Sequence, residues 1–226
     1  KTLLPDWWDD SLADTPSGYQ QAALILARIF AIKPDSLWSV DTKPVFAIPE
    51  NRKFKHSVDT EPAELDVACA LAFSAARIAK SGLESIPLVH EIPAAAKLRQ
   101  QFLQKNKWIG LSELVDFCYS IGIPVVYLEK FPAGAKKMHG LALDCDGRPV
   151  IVLTRKHKRG YLLFDLAHAS AEKHTNDLSV LHYQTLLDFD PENVGALNNI
   201  GVQYQEMEMP LYAVDNYKKA FKLGNT

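Results

Sequence analysis

Cysteine is scarce and poorly spaced for structural chemistry. The three residues, Cys69, Cys118 and Cys145, are odd in number and lie far apart. No C-x-x-C occurs, which argues against a structural zinc ribbon, and the spacing does not suit a disulfide framework. Apolar surroundings favour buried, inert thiols at Cys69 and Cys118, and the usage points to a reducing, cytoplasmic compartment. No apolar run reaches about 18 residues, so no membrane span is expected. No signal peptide is visible, and a start at Lys1 rather than Met leads us to expect sequence upstream of it. A net charge of -2 over 226 residues gives no general case for nucleic-acid or membrane-surface binding. Phosphate-binding glycine patterns are also missing. There is no G-x-G-x-x-G, and the Pro132-Ala133-Gly134-Ala135 turn before Lys136 offers one glycine with no following G-K-[ST]. No Ser/His/Asp arrangement stands out.

What is present reads as a globular chain, with 47% hydrophobic and 23% charged residues, long enough for one or two domains. Residues 1–18 form an irregular lead anchored by Trp7 and Trp8. Apolar spacing predicts a helix over Tyr19–Ile32, stopped by Pro34. The short basic cluster 52–56, RKFKH, reads as a solvated strand or loop edge, a weak footprint for nucleic acid. A long alanine-rich helix follows over Glu61–Ser81, with Pro62 at its first position. Another is expected over Pro93–Gln104, and a third over SELVDFCYSIG, capped by Ser112 and closed by Gly122. From Ile123 the period changes to that of strands: IPVVYLEKF, HGLALD and PVIVLT. Asp146-Gly147 between the last two is a strong hairpin signal. The apolar third strand should be central or well covered. A basic connector, 155–159, then leads into a helix from Tyr161.

Residues 176–226 carry internal similarity at a period of about 34 residues and resemble tetratricopeptide repeats. Leu197, Ile200, Gly201 and Tyr204 should line one helix, and Ala213, Tyr217 and Ala220 its partner. One period earlier, Ser179 matches Ala213, Tyr183 matches Tyr217 and Pro191 matches Asn225. Such solenoids usually need about three repeats, so further repeats are expected in the natural protein.

Residues 1–168 resemble the ImmA/IrrE family of zinc metallopeptidase-like domains. The resemblance is carried by LPDWWDD (4–10), RKFK (52–55), GIPVVYLEKFP (122–132), KKMHGLAL (136–143), GRPVIVL (147–153) and LLFDLAH (162–168). It implies a helix whose "LAH" continues into H-E-x-x-H. Two histidines at i and i+4 there hold Zn²⁺, and the glutamate between them activates the bound water. It further implies a bacterial stress- or phage-related peptidase cutting a partner such as a transcriptional repressor. His168 would be the first zinc ligand. Here the motif departs, because His168 is followed by Ala169, Ser170, Ala171 and Glu172.

Three readings stay open at this point. Residues are missing between His168 and Ala169, so that a metal half-helix abuts a repeat half-helix; one helix is not expected to serve both cores. Alternatively the chain is continuous and the site is dead. In the third, His168 and Glu172 at i, i+4, with His174 nearby but on another face, bind metal in a different way, although one His and one Glu make a poor zinc set. His139 at a strand start, His56 and His157 among basic residues, His90 in a loop and His182 on a repeat helix have plainer explanations. Asp144 and Asp146 fit turn chemistry.

The expected fold class is therefore α+β. Residues 1–168 carry a helical layer, a small three-stranded sheet and a metallopeptidase-type helix; residues 169–226 carry an α-helical tetratricopeptide segment. Two functions remain. One is a zinc-dependent endopeptidase acting on a partner protein, with Zn²⁺ conditional on an intact site, His168 as metal ligand and no catalytic residue identified. The other is an inactive peptidase-like adaptor or sensor that binds protein or peptide. Neither involves a membrane, and nucleic acid is not supported.

Overall fold

The computed structural model describes residues 7–38, 43–48, 53–55, 65–131, 139–154, 159–171 and 175–224. Its helices are α1 Pro16–Ile29, α2 Asp66–Ser81, α3 Ala95–Lys105, α4 Leu111–Ser120, α5 Arg159–Ala171, α6 Asn176–Phe189, α7 Val194–Glu206 and α8 Pro210–Gly224. Its strands are β1 Lys53–Lys55, β2 Val125–Tyr127, β3 Gly140–Cys145 and β4 Arg148–Leu153.

The alternation of side chains along β3 and β4 builds the two faces of the sheet. Leu141, Leu143, Cys145, Val150 and Val152 point into a cluster with Leu65, Ala68, Cys69, Ala72 and Ala76 of α2 and the residue before it. Ala142, Ile151 and Leu153 point the other way, into a larger cluster that includes Leu163, Leu166 and Ala167 of α5. The sheet thus lies between α2 and α5. Its order is β1-β3-β4-β2, with β2 parallel to β4 and the other pairs antiparallel.

Three strands were expected, and the sheet has four. The additional one, β1, falls within the basic cluster and pairs Phe54 with Leu141. Three residues are too few to show the alternation that marks a strand in sequence. β4 takes the central place expected of it, between β3 and β2. The β3–β4 turn places Asp146 at φ 51° and Gly147 at φ 80°. This double left-handed geometry matches the right-handed twist of the flanking strands and favours Asp-Gly. Asp144 Oδ1 accepts from Gly147 N at 2.7 Å, and Asp146 pairs with Lys80 at 2.6 Å.

Helix ends differ from the sequence reading in ways that local geometry explains. α1 starts earlier, where Thr15 Oγ1 accepts from Gly18 N at 3.1 Å and Pro16 takes the first turn. It also stops earlier, because Ala31 turns left-handed at φ 51° and Ile32 N bonds back to Ala27 O. The N-cap of α4 is Gly110 rather than Ser112; Glu113 Oε2 accepts from Gly110 N at 2.9 Å. Gly122, at φ 81°, closes that helix as expected. The strand expected over 123–131 is only Val125–Tyr127. The predicted start of α2 at Glu61 and Pro62, and most of the basic connector at 155–158, lie outside the described residues.

Beyond the sheet, α5 packs on α6 and α7 packs on α8. α6 and α8 start 34 residues apart, at Asn176 and Pro210, and α5 and α7 start 35 apart, at Arg159 and Val194. The two hairpins therefore follow one another at nearly the period read from the sequence. In the second hairpin Leu197, Ile200, Ala213 and Ala220 are buried as expected. The helices meet where Gly201 faces the Tyr217 ring: a Cβ at Gly201 would fall 2.5 Å from Tyr217 Cε1. Gly201→Ala regains up to about 1 kcal/mol of helix propensity but overpacks the crossing at a cost of about 1–3 kcal/mol. Urea unfolding should therefore show a net loss of stability, and this loss should shrink when Tyr217 is changed to Leu in the same chain.

Candidate functional site

The helix carrying His168 is one of the most enclosed elements in the chain. Leu163, Asp165, Leu166, Ala167, Ala169 and Ser170 are all buried. A helix apolar on one stripe covers one neighbour; a helix buried nearly all round sits between two. α5 packs against β3 and β4 on one side and along α6 on the other. α5 runs through 168/169 and contacts both the sheet and α6. The buried cluster passes across the same point, from Ile151 and Leu153 through Leu166 and Ala169 to Leu178, Leu181 and Leu186.

His168 is half-buried on this helix. The next position, where the peptidase motif needs its glutamate, is Ala169, packed into the apolar cluster. A carboxylate there would lose its hydration without a counter-charge in that cluster. Glu172 and His174 lie outside the described residues. Among the described residues no group of three or more His, Cys, Asp or Glu side chains comes together to hold a metal ion. The described residues alone thus do not supply the ligand set that the resemblance implies, and His168 is the one ligand of that set among them.

The other histidines separate by environment. His90 is exposed in the loop before α3, and His139 is half-buried at the start of β3, its carbonyl accepting from Thr154 N. His56 and His157 lie outside the described residues. The thiols are all buried, and burial pushes Cys118 up to about 12, which keeps it protonated and unreactive.

The polar centre that sequence reasoning missed is the α5–α6 seam. Ser170 Oγ donates to Leu166 O at 3.0 Å and lies 3.2 Å from His182 Nδ1. With its one proton given to the carbonyl, the serine accepts from Nδ1–H, and Nε2 keeps the lone pair. His182 Nε2 is buried and has no hydrogen-bond partner among the described residues. Close by, Ser179 Oγ donates to Ala167 O at 2.9 Å, joining the two helices directly. A serine within reach of a histidine is the signature of an activated nucleophile. Here both are sealed from solvent, at 1% and 0% exposure, so no substrate reaches them. The pair is a buried polar bridge between helices.

Two further links escaped the sequence because their partners are more than 80 residues apart. Asp177 on α6 accepts from Ala95 N at 2.8 Å, capping the start of α3, whose own N-cap Ala94 has no side chain to do so. Arg99 on α3 holds both carboxylate oxygens of Asp188 on α6 at 2.7 Å. No family model, curated protein or solved structure matches this chain.

Burial drives the His182 pKa down from 6.5 to about 3, and the Leu166 carbonyl, which favours the protonated ring, offsets only part of this. Above pH 6.5 the ring is neutral whether the chain is folded or unfolded. Between pH 6.5 and about 3 only the unfolded chain takes up the proton, so stability falls as pH falls, by about 1.4 kcal/mol per pH unit. Denaturant unfolding at pH 7 and pH 5 should show this extra loss, about 2 kcal/mol, in the natural chain but not in His182→Gln.

Proposed function

We infer that this protein is a non-catalytic binding module, a peptidase-like domain continued by tetratricopeptide-type helices, that engages a protein or peptide as an adaptor or sensor. One observation carries the reading: the last helical hairpin presents large apolar side chains to solvent. Leu211 is 84% exposed and Phe221 73%, and Tyr212, Val214, Val202 and Met209 are exposed beside them. Leu211, Val214 and Phe221 recur at i, i+3 and i+10 on one face of α8, while Ala213 and Ala220 turn inward. Apolar surface gathered in this way marks interaction sites, and stacked helical hairpins commonly offer such surfaces to proteins. The zinc endopeptidase reading, with a repressor as substrate, rests on His168 and on ligands that the described residues do not supply.

Elemental analysis of the purified chain should find far less than one zinc per molecule. Peptides selected from a random display library against the intact chain should bind at least tenfold more weakly to the Leu211→Asp/Phe221→Asp variant. Zinc at one per chain that disappears in His168→Ala would overturn the reading and restore the endopeptidase.

A further inference from the structure

A cleft of about 330 Å³ opens between α1 and α2, lined by Arg28, Ile29, Ser74, Arg77, Ile78 and Ser81. Among the described residues no carboxylate lines it. Neither guanidinium forms a hydrogen bond or ion pair among the described residues. Asp146 is held by Lys80 at 2.6 Å and feels Arg77 only through space. Ser74 Oγ is buried and has no hydrogen-bond partner among the described residues. Ser81 Oγ is already committed to Ile78 O at 2.7 Å. The polar side of the cleft therefore consists of unspent donors: two guanidinium forks and one hydroxyl.

Two arginines sharing a cleft repel each other, and a common counter-anion turns that repulsion into attraction. Guanidinium forks match carboxylate and phosphate oxygens in pairs, and the Ser74 hydroxyl adds one neutral donor. The remaining walls are apolar, and Ile78 is 73% exposed although it stands on a helix packed against the sheet. The volume falls in the range of small-molecule pockets. We propose that the α1–α2 cleft binds a small organic anion, its carboxylate or phosphate head between Arg28 and Arg77 and its apolar body against Ile29 and Ile78. This site stands apart from the α8 surface, and neither depends on the other.

Isothermal titration of the intact chain at fixed ionic strength, with benzoate, phenyl phosphate and inorganic phosphate as probes, tests it. At least one organic anion should bind saturably, and the stronger of the two identifies the head group. Arg28→Gln/Arg77→Gln should weaken it at least tenfold, and Ser74→Ala about threefold. Ile78→Ser should weaken the organic anion while leaving inorganic phosphate unchanged. Lys218→Gln/Lys222→Gln removes the same charge from α8 and should have no effect. Circular dichroism and Tm check that each variant folds; both arginines are exposed, so neither should matter to folding. Three results would overturn the proposal: no saturable binding of any probe, an equal loss in the α8 lysine variant, or inorganic phosphate binding as tightly as the organic anions.

Discussion

The close approach of α5 and α6 is the constraint on which the rest of the molecule depends. Ala167, Ser170 and Ser179 are small enough to let two helices meet, and the Ser179 hydroxyl bonds directly to the backbone of the opposite helix. Because α5 is also the layer beneath the sheet, the spacing at this seam sets where the helical hairpins sit relative to β3 and β4. Most of the polar groups within it bond to one another or to the backbone, as burial requires. His182 shows the consequence: its ring stays neutral in the folded chain because there is nothing to solvate a charge.

Local signals were the legible part of this fold. Asp146-Gly147 specified the hairpin because two consecutive residues need left-handed φ, and few dipeptides tolerate that. The sequence placed Gly201 and Tyr217 on partner helices, and they meet there because a ring can approach a helix only where a side chain is missing. The apolar runs HGLALD and PVIVLT marked the two strands of the Asp146-Gly147 hairpin. The illegible part is non-local. β1 is too short to carry a pattern, and the burial of His182 and the role of Asp177 follow from neighbours that sequence spacing does not reveal. α5 was harder to read for a different reason: its buried positions run round the whole helix, part of them facing the sheet and part facing α6.

The same principle governs the candidate site. His168 was identifiable from the residues before it, whereas a metal centre is defined by what converges in space. Ala169 belongs to the apolar cluster that also holds Leu166, Leu178 and Leu181. On the reading proposed for this protein, alanine at 169 is a packing choice: it allows α5 to lie flat between sheet and hairpin, where a charged side chain would hold the layers apart. Rigid packing of this helix and exposure of α8 are then complementary, one fixing the scaffold and the other presenting surface.

The Asp177 cap on α3 bears on how the molecule can be divided. The first turn of α3 relies on a carboxylate from α6, and Arg99 near its middle relies on Asp188 of the same helix. A chain ended at residue 168 would keep every residue of α3 yet leave its first amide and its arginine without their partners. The N-terminal portion is thus completed by the helices that follow it, so any recombination, splitting or transplantation of residues 1–168 must carry α6 along.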